Sequence, residues 1–383
     1  MSAVLTDEQL LIQKTARDFA LKEVLPVANE YDPAHKDMPA ALLERAAELG
    51  FFALRIPEEY GGLGLGCLEY CLVTEELSRA WMSVGSIIRP MIGMQALSDA
   101  QKQKYLPRMA SGEALGAFAF SEPNAGSDLS NISCRARRDG DHWVITGNKY
   151  WCTFADGADY IMLLARTGAE DERRHRGISA FIIDKPRGLL PEGVSGAPIP
   201  KIGYFGWKTW ELSFDGCRVP AENMLGEEGK GFYVATSGLE VARAHTAARA
   251  LGLARGALED ALAYAKERVQ FGRPLSDFQA IRFKLAGMAT EVEAARQLLY
   301  AVCQMIDTGR RCDMEAAMAK LHATEMAERV TSEALQIHGG AGYTTLHAVE
   351  RYWRDARLTK IFEGTSEIQM RIIADHLLGR EAR

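Results

Sequence analysis

A glutamate near the end of the chain stands in a setting that suits a general base. Glu363 lies between the apolar residues Ile361 and Phe362 and a Gly-Thr-Ser turn that can open the next helix. Burial among apolar side chains disfavours the ionised carboxylate. We therefore expect the pKa of Glu363 to be raised towards neutrality, where a carboxylate accepts protons efficiently. A solvated glutamate at a helix start is the alternative interpretation.

A loop in the middle of the chain could bind an anion or a polar heterocycle. Residues 121–128 follow a short apolar run and crowd small and turn-forming residues together, so several backbone N–H groups can point one way. An ordinary polar turn is the alternative. Trp151, which follows the next predicted strand, could stack on a flat ring or could belong to the core.

Two predicted helix ends carry residues suited to phosphate. Residues 268–274 place Arg268 and Arg273 on either side of a Phe-Gly turn, although cations in a last helical turn also complement the helix dipole. Residues 336–342 end another helix in a glycine-rich turn, for which a simple C-cap is the alternative. The glycine cluster at 61–66 does not have the spacing of a dinucleotide fingerprint, so we assign no Rossmann fold.

The distribution of proline separates the elements that must position these residues. Residues 1–115 and 116–225 contain six prolines each, whereas residues 230–383 contain only Pro274. An interior proline costs a helix about 3 kcal/mol, so the last region predicts long helices. Apolar residues recur there with the i, i+3, i+4, i+7 spacing of an amphipathic helix.

The other two regions have different patterns. The middle region alternates turns with short apolar or β-branched runs, which predict antiparallel strands at 116–120, 143–146, 160–165, 177–183 and 211–214. The first region predicts helices at 7–30, 40–49 and 68–79 and after Asp99, the first of them opened by a capping box from Thr6 to Gln9. We therefore predict an α+β chain with a helical domain at 1–115, a β-domain at 116–229 and a helical bundle at 230–383. Strands and helices do not alternate, which argues against a doubly wound parallel sheet.

Composition excludes several classes of protein. With 47% hydrophobic residues among 383, the chain can bury a core, and its formal net charge of −6 does not suit a general nucleic-acid binder. The seven cysteines form no Cys-x-x-Cys and the eight histidines no His-x-x-x-His pair. We therefore expect no metal site, with Cys67 and Cys71 as buried thiols in a reducing, cytoplasmic compartment. No secretory signal and no run of about 18 apolar residues is present, so we expect no membrane span.

In order and spacing, these segments resemble the acyl-CoA dehydrogenase family over nearly the whole chain. The markers of the resemblance are residues 122–128, 151–153, 217–223, 226–232, 268–272, 278–280, 336–342 and 362–369. The resemblance implies an N-terminal α-helical domain, a middle β-barrel-like domain and a C-terminal four-helix bundle. It also implies a noncovalent FAD, a homotetramer, an acyl-CoA substrate and an electron-transfer flavoprotein as the electron acceptor.

The resemblance also implies roles for individual residues. Glu363 would remove the α-proton as hydride leaves Cβ for flavin N5, producing the trans-2-enoyl-CoA. The flavin ring would contact Phe118, Phe120, Ser121, Trp151 and Thr153, with Gly126 and Ser127 near the flavin or the CoA chain and Thr365 and Glu367 facing the FAD. A neighbouring subunit would hold the FAD pyrophosphate and adenosine through Arg268, Gln270, Phe271, Gln336 and Gly340. Substrate would contact Ser127, Arg243, Phe362 and Gly364.

Two features bear on the choice of base and substrate. One branch of the family carries its base just before the arginine that matches Arg243, but that position is Ala242 here, so Glu363 has no visible rival. Arg89 would stand on the floor of the acyl pocket, where it could bind a chain that ends in an acid, of the glutaryl- or sulfinopropanoyl-CoA type. The alternatives are that Arg89 faces solvent or pairs with a protein acid, and that Arg79 binds the tail instead.

We therefore expect FAD-dependent α,β-dehydrogenation of a short- or medium-chain acyl-CoA. A desulfinase or decarboxylating dehydrogenase for an acidic acyl-CoA is the main alternative, ahead of an acyl-CoA oxidase or a non-catalytic helical scaffold. The aromatic segment 204–210 could narrow the CoA entrance or could simply pack the β-domain.

Overall fold

The computed structural model describes residues 5–91, 93–168 and 175–380. Its first part is helical, with α1 (Asp7–Phe19), a π-helical segment (Ala20–Val24), α2 (Leu25–Tyr31), α3 (Ala40–Glu48), α4 (Cys67–Ala80), α5 (Met82–Ile87) and α6 (Asp99–Ala110). The predicted capping box is confirmed, because the Thr6 hydroxyl accepts from the Gln9 amide at 3.2 Å and the Gln9 side chain accepts from the Thr6 amide at 3.0 Å. The predicted helix at 7–30 is present, with the π-helical segment in its interior.

The middle part of the chain forms a sheet. Its strands are β1 (Gly116–Ala119), β2 (Arg135–Asp139), β3 (His142–Thr153), β4 (Tyr160–Arg166), β5 (Ile178–Asp184), β6 (Val194–Pro198), β7 (Thr209–Pro220) and β8 (Met224–Leu225). They lie in the order β6-β7-β3-β2-β4-β5-β8, with β1 paired to β4. A tight hairpin joins β2 to β3, because Asp139 pairs with His142 and Gly140 between them has a φ of 60°.

One predicted feature of the sheet is wrong. We expected antiparallel strands throughout, but β1 runs parallel to β4, with Ala117 paired to Ile161, and β2 meets β4 in parallel at Arg135 and Arg166. The β2–β3 hairpin lies between β1 and β4 in sequence, so the chain crosses over and returns beside β1 in the same direction. The remaining described pairs of this sheet are antiparallel.

The last part consists mainly of long helices, as the scarcity of proline predicts. They are α7 (Gly231–Thr236), α8 (Leu239–Glu267), α9 (Gln279–Asp307), α10 (Asp313–His338), α11 (Val349–Thr359) and α12 (Ser366–Leu377), with a small hairpin of β9 (Val269–Gln270) and β10 (Arg273–Pro274) after α8. Helix α8 packs against α10, α4 and α9. A glycine permits the close approach to α4, because a Cβ on Gly252 would lie 2.4 Å from the Glu75 carbonyl oxygen. Helices, then a sheet, then helices confirm the predicted α+β class.

The prediction that Cys67 and Cys71 are buried thiols is confirmed. All seven cysteines are buried free thiols. Cys67 and Cys71 of α4 have a third thiol beside them, because the sulfur of Cys303 in α9 lies within 4.8 Å of both. No helix among the described residues is both long enough and apolar enough to cross a bilayer.

A buried ion cluster joins α4, α8 and α9. Glu75 and Glu76 of α4 are completely buried, and Nη1 of Arg255 in α8 lies 2.9 Å from Glu75 Oε1 and 2.8 Å from Glu76 Oε1. Arg296 of α9 contacts the same Glu75 oxygen at 3.1 Å. Charges that are removed from water require their partners, so this cluster constrains how the three helices pack.

Replacing Arg255 with methionine should lower the free energy of unfolding by about 3–5 kcal/mol. The substitution retains much of the side-chain volume but leaves Glu75 and Glu76 as buried carboxylates with less positive charge beside them. Urea unfolding of the purified protein, followed by circular dichroism, measures the change. Arg329→Met is the matched control, because it breaks a solvent-exposed pair with Glu291 and should change the urea midpoint little. Equal shifts in the two variants would contradict the prediction.

Candidate active site

Glu363 stands in a sharp turn between α11 and α12. Its backbone φ is 54° and that of Gly364 is 92°, so two consecutive residues adopt the left-handed region, which is uncommon for a glutamate. The turn ends at Thr365, whose hydroxyl accepts from the Ile368 amide at 3.3 Å and caps α12. A strained conformation of this kind persists only where the surrounding contacts impose it.

Lys320 of α10 supplies such contacts. The side chain is completely buried, and its ammonium donates to the carbonyl oxygen of Phe362 at 3.0 Å and to that of Gly364. The side-chain amide of Gln369 donates to the Gly364 carbonyl at 2.9 Å. Burial lowers the pKa of Lys320 to about 8, although the nearby carboxylate of Glu363 opposes the shift. One cation therefore holds the carbonyl groups on both sides of Glu363.

The carboxylate of Glu363 faces polar groups. Arg249 Nη2 lies 2.8 Å from Glu363 Oε1, and the Thr246 hydroxyl donates to Oε2 at 2.7 Å. Both partners lie on the same face of α8, three residues apart. Arg89, two residues beyond the end of α5, places Nη1 3.7 Å from Oε1. Two arginines and one hydroxyl thus surround the candidate base.

The expectation of a raised pKa for Glu363 is wrong. Burial does raise it, but the guanidinium charges of Arg249 and Arg89 and the hydrogen bond from Thr246 outweigh burial and hold the pKa at about 2. The neighbouring His245 adds no charge at pH 7, because burial lowers its own pKa to about 3. The residues beside Glu363 in sequence are apolar, but the residues that determine its ionisation come from far earlier in the chain.

Of the two arginines considered for the acyl pocket, only Arg89 contacts the candidate base Glu363. Its guanidinium lies over the Phe118 ring at 4.2 Å from the centroid, and the acid with which it pairs is Glu363. The alternative that Arg89 pairs with a protein acid is therefore the one observed. Arg79 instead pairs with Glu259 at 2.8 Å, between α4 and α8.

Of the residues predicted to contact a flavin ring, the two phenylalanines border the same region. Phe118 and Phe120 are half-buried with ring centroids 5.4 Å apart, and Arg89 connects them to Glu363. Trp151, near the end of β3, is 57% exposed and has a left-handed φ of 64°. The hydroxyl of Thr153 lies 3.0 Å from that of Thr209. Half-buried phenyl rings beside a carboxylate, together with an exposed indole, fit a flat aromatic ligand.

The loop at 121–128 is anchored at its start. Glu122 is buried, pairs with the buried Lys149 at 2.9 Å and accepts from two backbone amides of the following segment at 2.7 and 2.9 Å. The carbonyl of Ser121 accepts from the backbone of β3 at 2.8 Å. These bonds fix the loop and leave two of the predicted ligand contacts exposed, Gly126 and Ser127.

A second set of predicted cofactor residues lies at the opposite end of α8. Arg268, Gln270 and Phe271 occupy the end of α8 and the β9–β10 hairpin, where Phe271 is 94% exposed. Gln336 and Gly340, two further members of the set, each lie two residues from His338. The ring of His338 stacks on that of Tyr264 in α8, with centroids 4.2 Å apart, so both residues lie near the same end of α8. From Thr246 to Arg268, α8 rises roughly 33 Å at about 1.5 Å per residue. Within one chain, this set is therefore not brought to Glu363.

The remaining predicted contacts lie around the turn and on α8. Phe362 and Gly364 flank Glu363 and are half-buried, whereas Glu367 is exposed in the first turn of α12. Arg243 lies three residues before Thr246 and pairs with Asp313 at 3.5 Å. Burial lowers the pKa of the Arg243 guanidinium.

Three residues around Glu363 were not singled out from the sequence: Thr246, Arg249 and Lys320. A signal for Arg249 was available, because it is the only charged residue in the alanine-, leucine- and glycine-rich stretch 247–254. Nothing in the sequence singles out the other two.

The aromatic segment 204–210 has a packing role in this structure. The Trp207 indole donates to the Ser83 carbonyl at 2.9 Å, and the Tyr204 amide donates to the Asp355 carboxylate at 2.6 Å. The Tyr204 ring also lies edge-on to Phe362, at 6.1 Å between centroids. Of the two interpretations of the segment, the contacts favour packing.

Comparison with known proteins identifies relatives along the whole chain. Three domains of the acyl-CoA dehydrogenase family match, the N-terminal domain at residues 6–113, the middle domain at 117–217 and the C-terminal domain at 229–378. The chain is 44% identical to the (2S)-methylsuccinyl-CoA dehydrogenase of Cereibacter sphaeroides, over 97% of this chain and 70% of that protein. The solved butyryl-CoA dehydrogenase of Megasphaera elsdenii superposes with a TM-score of 0.92 at 38% identity, covering 99% of this chain and 100% of that one. A chain in the structure reported for the electron transferring flavoprotein of Acidaminococcus fermentans gives a TM-score of 0.92 at 39% identity, covering 99% of this chain and 100% of that one.

Proposed function

The chain belongs to the acyl-CoA dehydrogenase family, and from that premise we propose that it removes one hydrogen each from Cα and Cβ of an acyl-CoA thioester and yields the trans-2-enoyl-CoA. It is an FAD-dependent oxidoreductase that acts on acyl-CoA, as the family requires. The residues present fit that cofactor, because Phe118, Phe120 and Trp151 offer flat aromatic surface. The observation that carries the proposal is the carboxylate of Glu363 in its left-handed turn, within reach of the same region.

In the proposed reaction Glu363 is the base. Its carboxylate accepts the α-proton, the electron pair of that C–H bond becomes the new C=C bond, and the β-hydrogen leaves with its own electron pair as hydride. Bound FAD supplies the acceptor for that hydride. The α-proton is acidic enough only if the thioester oxygen is stabilised as negative charge develops on it. The backbone N–H of Glu363 has no acceptor among the described residues, so it is available to donate to that oxygen.

We propose a short- or medium-chain substrate whose tail ends in an acid. Arg89 supports the acidic tail, because it lies beside both Glu363 and the Phe118 ring and has no other carboxylate partner among the described residues. The similarity to a methylsuccinyl-CoA dehydrogenase supports the same choice, whereas the similarity to a butyryl-CoA dehydrogenase supports an uncharged short chain. A desulfinase or decarboxylating dehydrogenase for an acidic acyl-CoA is the second candidate, and Arg89 is the residue that favours it.

Replacing Arg89 with leucine should lower kcat/KM for glutaryl- and succinyl-CoA by about 10–100-fold, because a charge-assisted hydrogen bond contributes about 1.5–3 kcal/mol. Turnover of butyryl- and hexanoyl-CoA should change much less. Steady-state kinetics of the FAD-loaded enzyme with all four substrates measures both effects. If the acidic substrates are never preferred, or if the substitution leaves the preference unchanged, the proposal of an acid-tailed substrate is wrong. Release of carbon dioxide from glutaryl-CoA, or of sulfite from sulfinopropanoyl-CoA, would identify the second candidate.

We also propose that the enzyme works as a homo-oligomer, at least a dimer and, by its family resemblance, a homotetramer. The predicted FAD contacts around Arg268 lie roughly 33 Å along α8 from Thr246, so a second copy is needed to bring them to the same FAD.

Electrons would pass to an electron-transfer flavoprotein, which the similarity to a chain in such a structure supports. The buried free thiols support a reducing, cytoplasmic location.

A further inference from the structure

Arg249 is an unusual residue for its place in the fold. Its side chain is 1% exposed, in a stretch of α8 that is otherwise alanine, leucine and glycine. Apart from Glu363, its guanidinium contacts uncharged groups. Nη1 donates to the Ser86 hydroxyl at 3.1 Å, Nη2 donates to the Thr246 hydroxyl at 2.9 Å, and the Phe362 ring centroid lies 4.4 Å from the guanidinium carbon. Nε has no hydrogen-bond partner among the described residues.

Positive charge exceeds negative charge around Glu363. The titratable or charged groups that face it are Arg249 and His245 of α8, Arg89 after α5, Lys320 of α10 and Tyr70 of α4. His245 is neutral at pH 7 because burial lowers its pKa to about 3, and Tyr70 is neutral because burial raises its pKa well above the ordinary value. Lys320 is occupied by the carbonyl groups of the turn. Two guanidinium groups therefore share one carboxylate, and one further negative charge would balance them.

This arrangement is poorly suited to a substrate with an uncharged chain. A general base is most effective when its pKa lies near the working pH, and the ion pair with Arg249 makes the Glu363 carboxylate a weak base. An alkyl chain in the pocket would leave that pair intact and would enclose the second guanidinium without a new partner. An acyl chain that ends in a carboxylate would supply the missing negative charge, and its two oxygens could accept two hydrogen bonds from one guanidinium group.

Resting on the proposed function, we propose that Arg249 and Arg89 form a switch that the acidic tail of the substrate operates. In the free enzyme the two arginines hold the Glu363 carboxylate. When an acyl-CoA with a terminal carboxylate binds, the guanidinium groups exchange Glu363 for the tail, and Glu363 is released to accept the Cα proton. Only ion pairs are exchanged in this step, and no covalent bond forms or breaks. The tail therefore serves catalysis as well as binding, and the substrate class is a short acyl-CoA with a second carboxyl group.

The test compares glutaryl-CoA with glutaramoyl-CoA, its neutral amide of the same shape. Single-turnover bleaching of the flavin, in FAD-loaded enzyme at saturating substrate, should be about tenfold faster or more with glutaryl-CoA. The rate with glutaryl-CoA should also fall at low pH with an apparent pKa well above the one seen in kcat/KM. The reason is that kcat/KM reports the free enzyme, where Arg249 still pairs with Glu363. Equal rates for the two substrates would overturn the proposal, and so would equal apparent pKa values for the bleaching rate and for kcat/KM.

Arg249→Gln provides the second readout. It should raise the bleaching rate with glutaramoyl-CoA, because Glu363 is less restrained, so the ratio of the glutaryl-CoA rate to the glutaramoyl-CoA rate should fall towards one. It should also weaken the binding of glutaryl-CoA. A merely structural role for Arg249 would lower both rates at an unchanged ratio, which would overturn the proposal. Arg79→Gln is the matched control, because Arg79 is also buried but pairs with Glu259, and it should leave the ratio unchanged. If Arg249→Gln does not fold, the more exposed Arg89→Gln should shift the ratio in the same direction.

Failure of the switch and failure of the proposed function give different results. If no acyl-CoA bleaches the flavin, or if bleaching survives Glu363→Gln, dehydrogenation with Glu363 as base is wrong. If glutaryl-CoA and glutaramoyl-CoA bleach the flavin equally fast, dehydrogenation stands and only the switch is wrong.

Discussion

Glu363→Gln should leave FAD bound and slow flavin bleaching by an acyl-CoA by about 10²–10⁴-fold, the usual contribution of a positioned general base. Glutamine keeps the length of the side chain and can still lie beside Thr246 and Arg249, so the turn at 362–364 should keep its shape. What is lost is the group that accepts the α-proton, and without that transfer the β-hydrogen cannot leave as hydride. Stopped-flow absorbance of the oxidised flavin under single-turnover conditions measures the rate.

Two further measurements make this prediction specific. Glu363→Asp is the conservative control, because it keeps the carboxylate but withdraws it by one methylene, and it should retain part of the activity. Glu363→Gln also removes the anion that Arg249 and Arg89 share, so this variant should bind glutaryl-CoA more tightly than the wild type while binding butyryl-CoA about as before. Bleaching that survives the glutamine substitution would exclude Glu363 as the base.

The turn that carries the proposed base was predictable from the sequence, but the ionisation of Glu363 was not. The Gly-Thr-Ser turn and the apolar residues before it indicate where Glu363 stands, and the structure confirms a turn that opens α12. The direction of the pKa shift depends on Arg249, Arg89 and Thr246, which lie in two other parts of the chain. A local pattern reports burial, which raises the pKa, but cannot report a cation that tertiary packing brings from elsewhere.

The fold shows the same division between local and distant effects. The capping box at Thr6 and the proline-free helices α8, α9 and α10 depend on neighbouring residues and were predicted correctly. The parallel pairing of β1 with β4 was missed, because direction in a sheet depends on how the chain crosses over and not on the residues within the strand. Lys320 was missed for a related reason. A lysine in the middle of an amphipathic helix is ordinarily a surface residue, and only the packing of α10 against the turn shows that it is buried.

Lys320 is the residue whose loss should most disturb the position of the proposed base, Glu363, without removing its carboxylate. Its ammonium holds the Phe362 and Gly364 carbonyl groups, so it restrains both peptide bonds next to the left-handed Glu363. A carboxylate that is displaced by about 1 Å can lose about 10²-fold in rate, because proton transfer requires a near-attack geometry. Lys320→Met keeps the aliphatic stem and removes the ammonium. It should therefore lower the bleaching rate by about 10²-fold while FAD and acyl-CoA remain bound.

Lys185→Met is a closely matched control for this substitution. Lys185 is also buried, donates to backbone carbonyl groups at 2.9 and 3.0 Å and has a pKa that burial lowers to about 8, but it lies at the end of β5. Both variants should lose stability, and only Lys320→Met should lose rate. The pH dependence provides a second criterion, because the pKa of Lys320 is lowered and its ammonium is present below about pH 8 and absent above it. The wild-type bleaching rate should fall above that pH, and the low rate of Lys320→Met should not. A similar loss of rate in both lysine variants would show that stability, and not the position of Glu363, is what Lys320 provides.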